Sequence, residues 1–165
     1  MRQRMTNVPS GKSDTQYAFT VTLKGRRSVR RTIALRGDQT LDDLHEAIFH
    51  AFDRFDPHLY SFYFPKAPTR RPRPGPTPRE YTAPQGYEGP DPFGPSRQFN
   101  AAETRLDALG LKTGQTFEYL FDLGDTWWHE VTVESMGPAQ TKGRYPRILD
   151  SRGVAPPQYP EGDDD

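Results

Sequence analysis

The sequence predicts an α+β roll: one main helix packed on a mixed or antiparallel sheet of about five strands, in the order β-β-α-β-(disordered insertion)-β-β. Three observations predict it. Two early segments suit strands, the first with a clean period-two alternation. One segment repeats its apolar residues at helical spacing, and a two-armed aromatic segment late in the chain turns on a Gly-Asp pair. The plan is comparable to a β-grasp.

The first strand starts at Tyr17, with Tyr17, Phe19, Val21 and Leu23 on one face and Ala18, Thr20, Thr22 and Lys24 on the other. Gly25-Arg26-Arg27-Ser28 turns the chain, and Val29 to Leu35 returns antiparallel with Ile33 and Leu35 inward. Thr40, with Asp43 three residues on, is an approximate capping box. The helix behind it carries the stripe Leu41, Leu44, Ile48, Ala51, Phe52 and Phe55, leaving Phe49 as a large apolar residue free to meet a partner. Pro57 stops it, and Leu59 to Phe64 reads as a third strand.

Residues 66–98 hold nine prolines and few aliphatics, which predicts a disordered insertion. Order resumes near Ala101 with a short helical turn ending at Gly110. A hairpin follows, from Thr116 to Asp122 and from Trp127 to Met136, about the turn Leu123-Gly124-Asp125-Thr126. TKGRYPRILD suggests a last short extended piece. The organisation is thus a disordered tail over 1–15, a single domain over 16–158 and an acidic tail over 159–165.

Composition narrows the function. The chain has 165 residues and no cysteine, which excludes disulfide scaffolds and thiolate zinc sites. No window approaches the roughly 18 apolar residues of a membrane span, and no signal-peptide run is present, so a cytoplasmic location without membrane contact is expected. The net charge of zero divides unevenly: residues 1–82 carry 15 Lys/Arg against 8 Asp/Glu, residues 83–165 carry 7 against 14. Walker, dinucleotide, nucleophile-elbow and H-E-x-x-H motifs are all missing, which weakens the familiar enzyme classes.

Three stretches are candidates for function. FDLGDTWWHEVTVE, Phe121 to Glu134, gathers Asp122, Asp125, Trp127 and His129, with His58 available from the third strand. Carboxylates and imidazoles suit a divalent metal, or a histidine acting as general base. The reading as structure leads. Asp122 suits a turn acceptor, Gly124 suits a positive φ, and Trp127 and His129 fall on the inward face of a strand. An aromatic small-ligand pocket around Trp127 and Trp128 is a further option. KGRRSVRR, Lys24 to Arg31, supplies a basic surface from Arg26, Arg27, Arg30 and Arg31 that suits a nucleic-acid or protein partner. The proline-rich stretch TRRPRPGPTPRE suits a linker before it suits a polyproline ligand.

TLDDLHEAIFHAFDRFDPHLYSF, LGLKTGQTFEYLFDLGDTWWHEVTVE and YPRILDSRGVAPPQ resemble, in order and spacing, the family named after the third open reading frame of a bacterial Ri plasmid. Some of its members are labelled transposon-passenger resolvase-like proteins. The resemblance implies an α+β roll and an association with mobile elements, and names no activity. The family commonly has a cysteine before the paired prolines and acids after them; Ala155-Pro156-Pro157-Gln158-Tyr159 departs from that. The reading is therefore a non-catalytic binding module requiring no cofactor, accessory to a mobile element or DNA-linked process. Its alternative is a metal-dependent, hydrolase-like enzyme.

Overall fold

The computed structural model describes residues 13–65, 79–94 and 98–159. One sheet of eight strands dominates it: β1 (Thr15–Leu23), β2 (Arg30–Arg36), β3 (Tyr60–Phe64), β4 (Arg79–Thr82), β5 (Gln98–Asn100), β6 (Thr116–Phe121), β7 (Trp127–Pro138) and β8 (Arg147–Arg152). Their order across the sheet is β5-β4-β3-β6-β7-β1-β2-β8, and every pairing is antiparallel except β4 with β5. Among the described residues a single α-helix, α1 (Leu41–Ala51), supplies the second layer, with short 3-10 turns at Pro84–Gly86, Ala101–Glu103 and Leu106–Ala108.

The expected five-stranded α+β roll is therefore corrected to a predominantly β fold. The strands not counted were the short and exposed ones. β4 lies inside the proline-rich span, where four residues free of proline pair with β3 (Ser61 opposite Thr82, Phe64 opposite Arg79) and bury Tyr81. Composition averaged over 33 residues conceals so short a segment. β5 is three residues long, too short to show a period. β8, expected only as a last short extended piece, is largely exposed on both faces, so it lacks the alternation of a half-buried strand. Of the proposed insertion, 66–78 and 95–97 lie outside the described residues, and 79–94 contributes a strand and a turn. Of the proposed N-terminal tail, 1–12 lie outside them, and β1 begins at Thr15.

The core forms between α1 and one face of the sheet, where alternate residues Phe19, Val21, Phe117, Tyr119, Val131 and Val133 are fully buried. Opposite them α1 buries Leu41, Leu44 and Ile48. Thr40 caps α1 as expected: its Oγ1 accepts Asp43 N–H at 3.2 Å while Asp43 Oδ2 accepts Thr40 N–H at 2.8 Å. The other end departs from expectation. Asp53 adopts φ 55°, and Asp53 and Arg54 donate back to the carbonyls of His50 and Phe49, a Schellman closure. The chain turns away before Phe55, which is 70% exposed, whereas Phe49 is buried against Phe121 with ring centroids 5.8 Å apart. Phe49 is thus a core residue and Phe55 lies off the stripe. Among the described residues no helix is long and apolar enough to cross a membrane.

Candidate functional site

The Schellman turn decides where Arg54 goes. The residue is 7% exposed, and its guanidinium lies against the rings of Phe52, Phe121 and Trp127, with Cζ 5.1, 5.0 and 5.5 Å from their centroids. Nη2 donates to Nε2 of His129 at 2.7 Å. An arginine has no acceptor atom, so this nitrogen of His129 carries no proton, and Nδ1–H is free to donate to the Tyr119 carbonyl at 3.3 Å. Burial, and then the charge of Arg54, hold the His129 imidazole down to about 3. It is a neutral core group with both nitrogens engaged.

The turn before it is built by Asp122. That residue takes φ 64°, and its Oδ1 accepts Gly124 N–H at 3.0 Å and Asp125 N–H at 3.3 Å, while Thr126 N–H closes on the Asp122 carbonyl at 2.7 Å. The left-handed positions are Asp122 and Thr126; Gly124, expected to take a positive φ, does not. Asp125 points from the exposed turn. Trp127 is half-buried on the helix side, whereas Trp128 lies on the opposite face, with Tyr63 5.7 Å away and Lys24 Nζ 5.6 Å from its ring.

His58 and Asp122 do come together, Nε2 to Oδ2 at 3.6 Å, with Asp56 Oδ2 3.5 Å from the same nitrogen. Tyr159 completes the group: its hydroxyl donates to Asp56 Oδ2 at 2.6 Å and lies 2.8 Å from His58 Nε2. The four residues weighed for a metal are thereby split. His58 and Asp122 meet, Asp125 is at the surface and His129 is enclosed with Arg54. Among the described residues no group of three or more His, Asp or Glu side chains is placed to hold a metal ion.

A second imidazole, His45, is buried beside this group. It stacks on Tyr60 with centroids 3.8 Å apart, and its Nδ1 lies 2.6 Å from the Tyr119 hydroxyl. That buried hydroxyl has no other acceptor among the described residues, so it donates, and the ring proton of His45 sits on Nε2. Burial, with Arg54 and His50 adding to it, lowers His45 to about 3.

Of the expected basic surface, Arg26, Arg27 and Arg30 are exposed, Arg27 lying 3.5 Å from Glu130. Arg31 is buried, its Nε donating to the Ala51 carbonyl at 2.9 Å and its Nη1 to the carbonyls of Arg30 and Arg152 at 2.9 and 2.8 Å. It joins α1 to β8 and is no part of an open basic face.

Two cavities open at this end of the sheet. One, of about 550 Å³, is lined by Leu23, Lys24, Arg26, Trp127, Pro156 and Pro157. The other, of about 450 Å³, is lined by Asp42, His45, Glu46, His58, Tyr60 and Gln85 among others. Between them runs the C-terminal segment. Gln158, 3% exposed, accepts the N–H groups of Phe55 and Asp56 at 3.0 Å each and donates to the Asp56 carbonyl at 2.8 Å. Sequence reasoning had singled out Trp127, His58 and the basic hairpin; it missed Arg54, His45, Gln158 and Tyr159. A lone arginine directly after an apolar stripe was the available signal for Arg54.

Comparisons place this chain among proteins without assigned activity. The plasmid pRiA4b ORF-3-like protein family matches residues 15–162. An uncharacterized protein, y4hQ, of Sinorhizobium fredii (strain NBRC 101917 / NGR234) is 27% identical over 132 residues, covering 79% of this chain and 58% of its own length. The chain thus spans under two thirds of that relative. The crystal structure of MM3350, a protein of unknown function from Methanosarcina mazei Go1, superposes with a TM-score of 0.68 at 22% identity, over 88% of this chain and 74% of that one, a likeness of fold. With the match running through both arms of the aromatic hairpin and the Pro-Pro segment, the chain belongs to the plasmid pRiA4b ORF-3-like family.

Proposed function

We propose that this chain is a binding module whose ligand lies in the cleft between the β1–β2 turn and Pro156-Pro157, and that the ligand is single-stranded nucleic acid. One observation carries the reading: a cleft of about 550 Å³ joins the Trp127 indole and two prolines to the cation Arg26, with no carboxylate among the described residues that line it. An indole wall with a cationic neighbour suits a base together with its phosphate. Lys24 lines the cleft with its ammonium turned to Glu118 and Trp128 on the opposite face, whereas Arg26 has no ion-pair partner among the described residues. The family's name refers to a plasmid reading frame and names no process.

A short single-stranded oligonucleotide, titrated while tryptophan fluorescence is followed, tests it. Quenching is expected, with affinity falling as salt rises. Charge reversal by Arg26→Glu should weaken binding about tenfold or more, the scale of losing one phosphate contact and adding a repulsion. Asp125→Asn, outside the cleft, should stay within about twofold. Binding indifferent to salt and to Arg26→Glu, or no binding, would remove this reading.

A further inference from the structure

Arg54 is a buried cation facing no carboxylate among the described residues. Of its guanidinium nitrogens, Nη2 is held by His129, and Nη1 is buried without any hydrogen-bond partner. The indole Nε1–H of Trp127, against whose ring that guanidinium lies, is likewise buried and unpartnered. Buried donors are almost always satisfied, and a buried charge more strictly so. Two orphan donors on neighbouring side chains therefore point to an acceptor that the folded chain does not itself provide. The free charge of the adjoining cleft, Arg26, has the sign that an anion requires; Lys24 also lines the cleft, but its ammonium is paired with Glu118 beside Trp128.

We propose that Arg54 Nη1 and Trp127 Nε1 form the receptor for an oxyanion group, a phosphate, at the inner end of the cleft. This rests on reading the cleft as the ligand site and names the ligand group that is anchored there. A permanent, weakly hydrated charge suits a guanidinium to that role, with Nη1 and the indole N–H supplying one donor each. His129, neutral and deprotonated at Nε2, is the positioning residue: it takes one side of the guanidinium fork and leaves the other to the ligand. Neither orphan atom reaches solvent, so entry requires the segment Pro156–Tyr159 to shift. That segment spans the gap from Trp127 to the backbone of Phe55 and Asp56, next to Arg54, and is held there by the three Gln158 hydrogen bonds.

The phosphate has two sources, free inorganic phosphate or the terminal phosphate of a nucleotide, which titration of the full chain separates. Inorganic phosphate, AMP and adenosine are compared by calorimetry at constant ionic strength, with chloride as the balancing anion. AMP is expected to bind at least tenfold more tightly than adenosine. AMP tighter than phosphate identifies the nucleotide; equal affinity identifies the free anion. Arg54→Met should reduce binding at least tenfold, and Gln158→Ala should speed association. If Arg54→Met does not fold, the guanidinium ¹⁵N resonances of the wild type carry the test, since the ligand must shift those of Arg54. Adenosine binding as well as AMP, phosphate acting no differently from chloride, or an unmoved Arg54 signal would overturn the proposal. Oligonucleotide binding that persists in Arg54→Met, with AMP binding also unchanged, would overturn it while leaving the cleft reading in place; loss of all binding in the wild type would end both.

Discussion

Lowering the pH from 7.5 to 5 is expected to cost this protein about 4 kcal/mol of folding free energy, an order-of-magnitude figure from two buried imidazoles. His45 and His129 are held to about 3 in the fold, well below the 6.5 of a free histidine, because burial disfavours the charged ring and Arg54 opposes a second positive charge. Between those values the unfolded chain binds protons that the folded chain refuses. Stability is therefore intact above pH 6.5, falls as the pH drops through it, and stops falling below about 3. Each ring contributes roughly 2 kcal/mol by pH 5. Urea titrations at pH 7.5, 6 and 5 measure it directly, and a flat profile over that interval would contradict the placement of both rings.

Replacing Arg31 by alanine should destabilise the fold by about 3–4 kcal/mol, the scale of removing several charge-assisted hydrogen bonds at once. The side chain serves three carbonyls: Ala51 at the C-terminal end of α1, Arg30 in its own strand and Arg152 in the edge strand β8. It also lies over Phe52, with Cζ 5.2 Å from the ring. Because β8 pairs only with β2, its amides should exchange faster in Arg31→Ala before those of the central strands do. Arg31→Met, which keeps the apolar stem, should recover only the packing part. A loss below about 1 kcal/mol would mean that those carbonyls find water or other donors.

The same arginine shows what the sequence could and could not express. In KGRRSVRR all five cations look alike, yet strand alternation and the position of a helix end some twenty residues away turn one of them inward. Where a signal is local, it was legible: the period-two run from Tyr17 to Leu23, the Thr40–Asp43 capping box and the Asp122 turn are each written within a few residues and each form. Where the determinant is distant, it was not. The Arg54–His129 pair joins residues 75 apart, and the Tyr159–Asp56 and Gln158–Asp56 contacts join residues more than 100 apart. The short strands β4 and β5 gain their order from pairing with neighbours, so neither composition nor period marks them. Phe55 misled for a related reason: helical spacing continues past Ala51 on paper, but Asp53 in the left-handed region ends the helix first.

The foundation of the site is a guanidinium positioned by an uncharged imidazole, and ring ¹⁵N spectra of His129 test that most directly. The expected result is a single Nδ1-protonated tautomer, unchanged from pH 8 down to about 4.5, with His45 in the opposite, Nε2-protonated form. A His129 ring that takes up a proton near the ordinary 6.5, carries its proton on Nε2, or shifts on addition of a divalent metal would contradict the account.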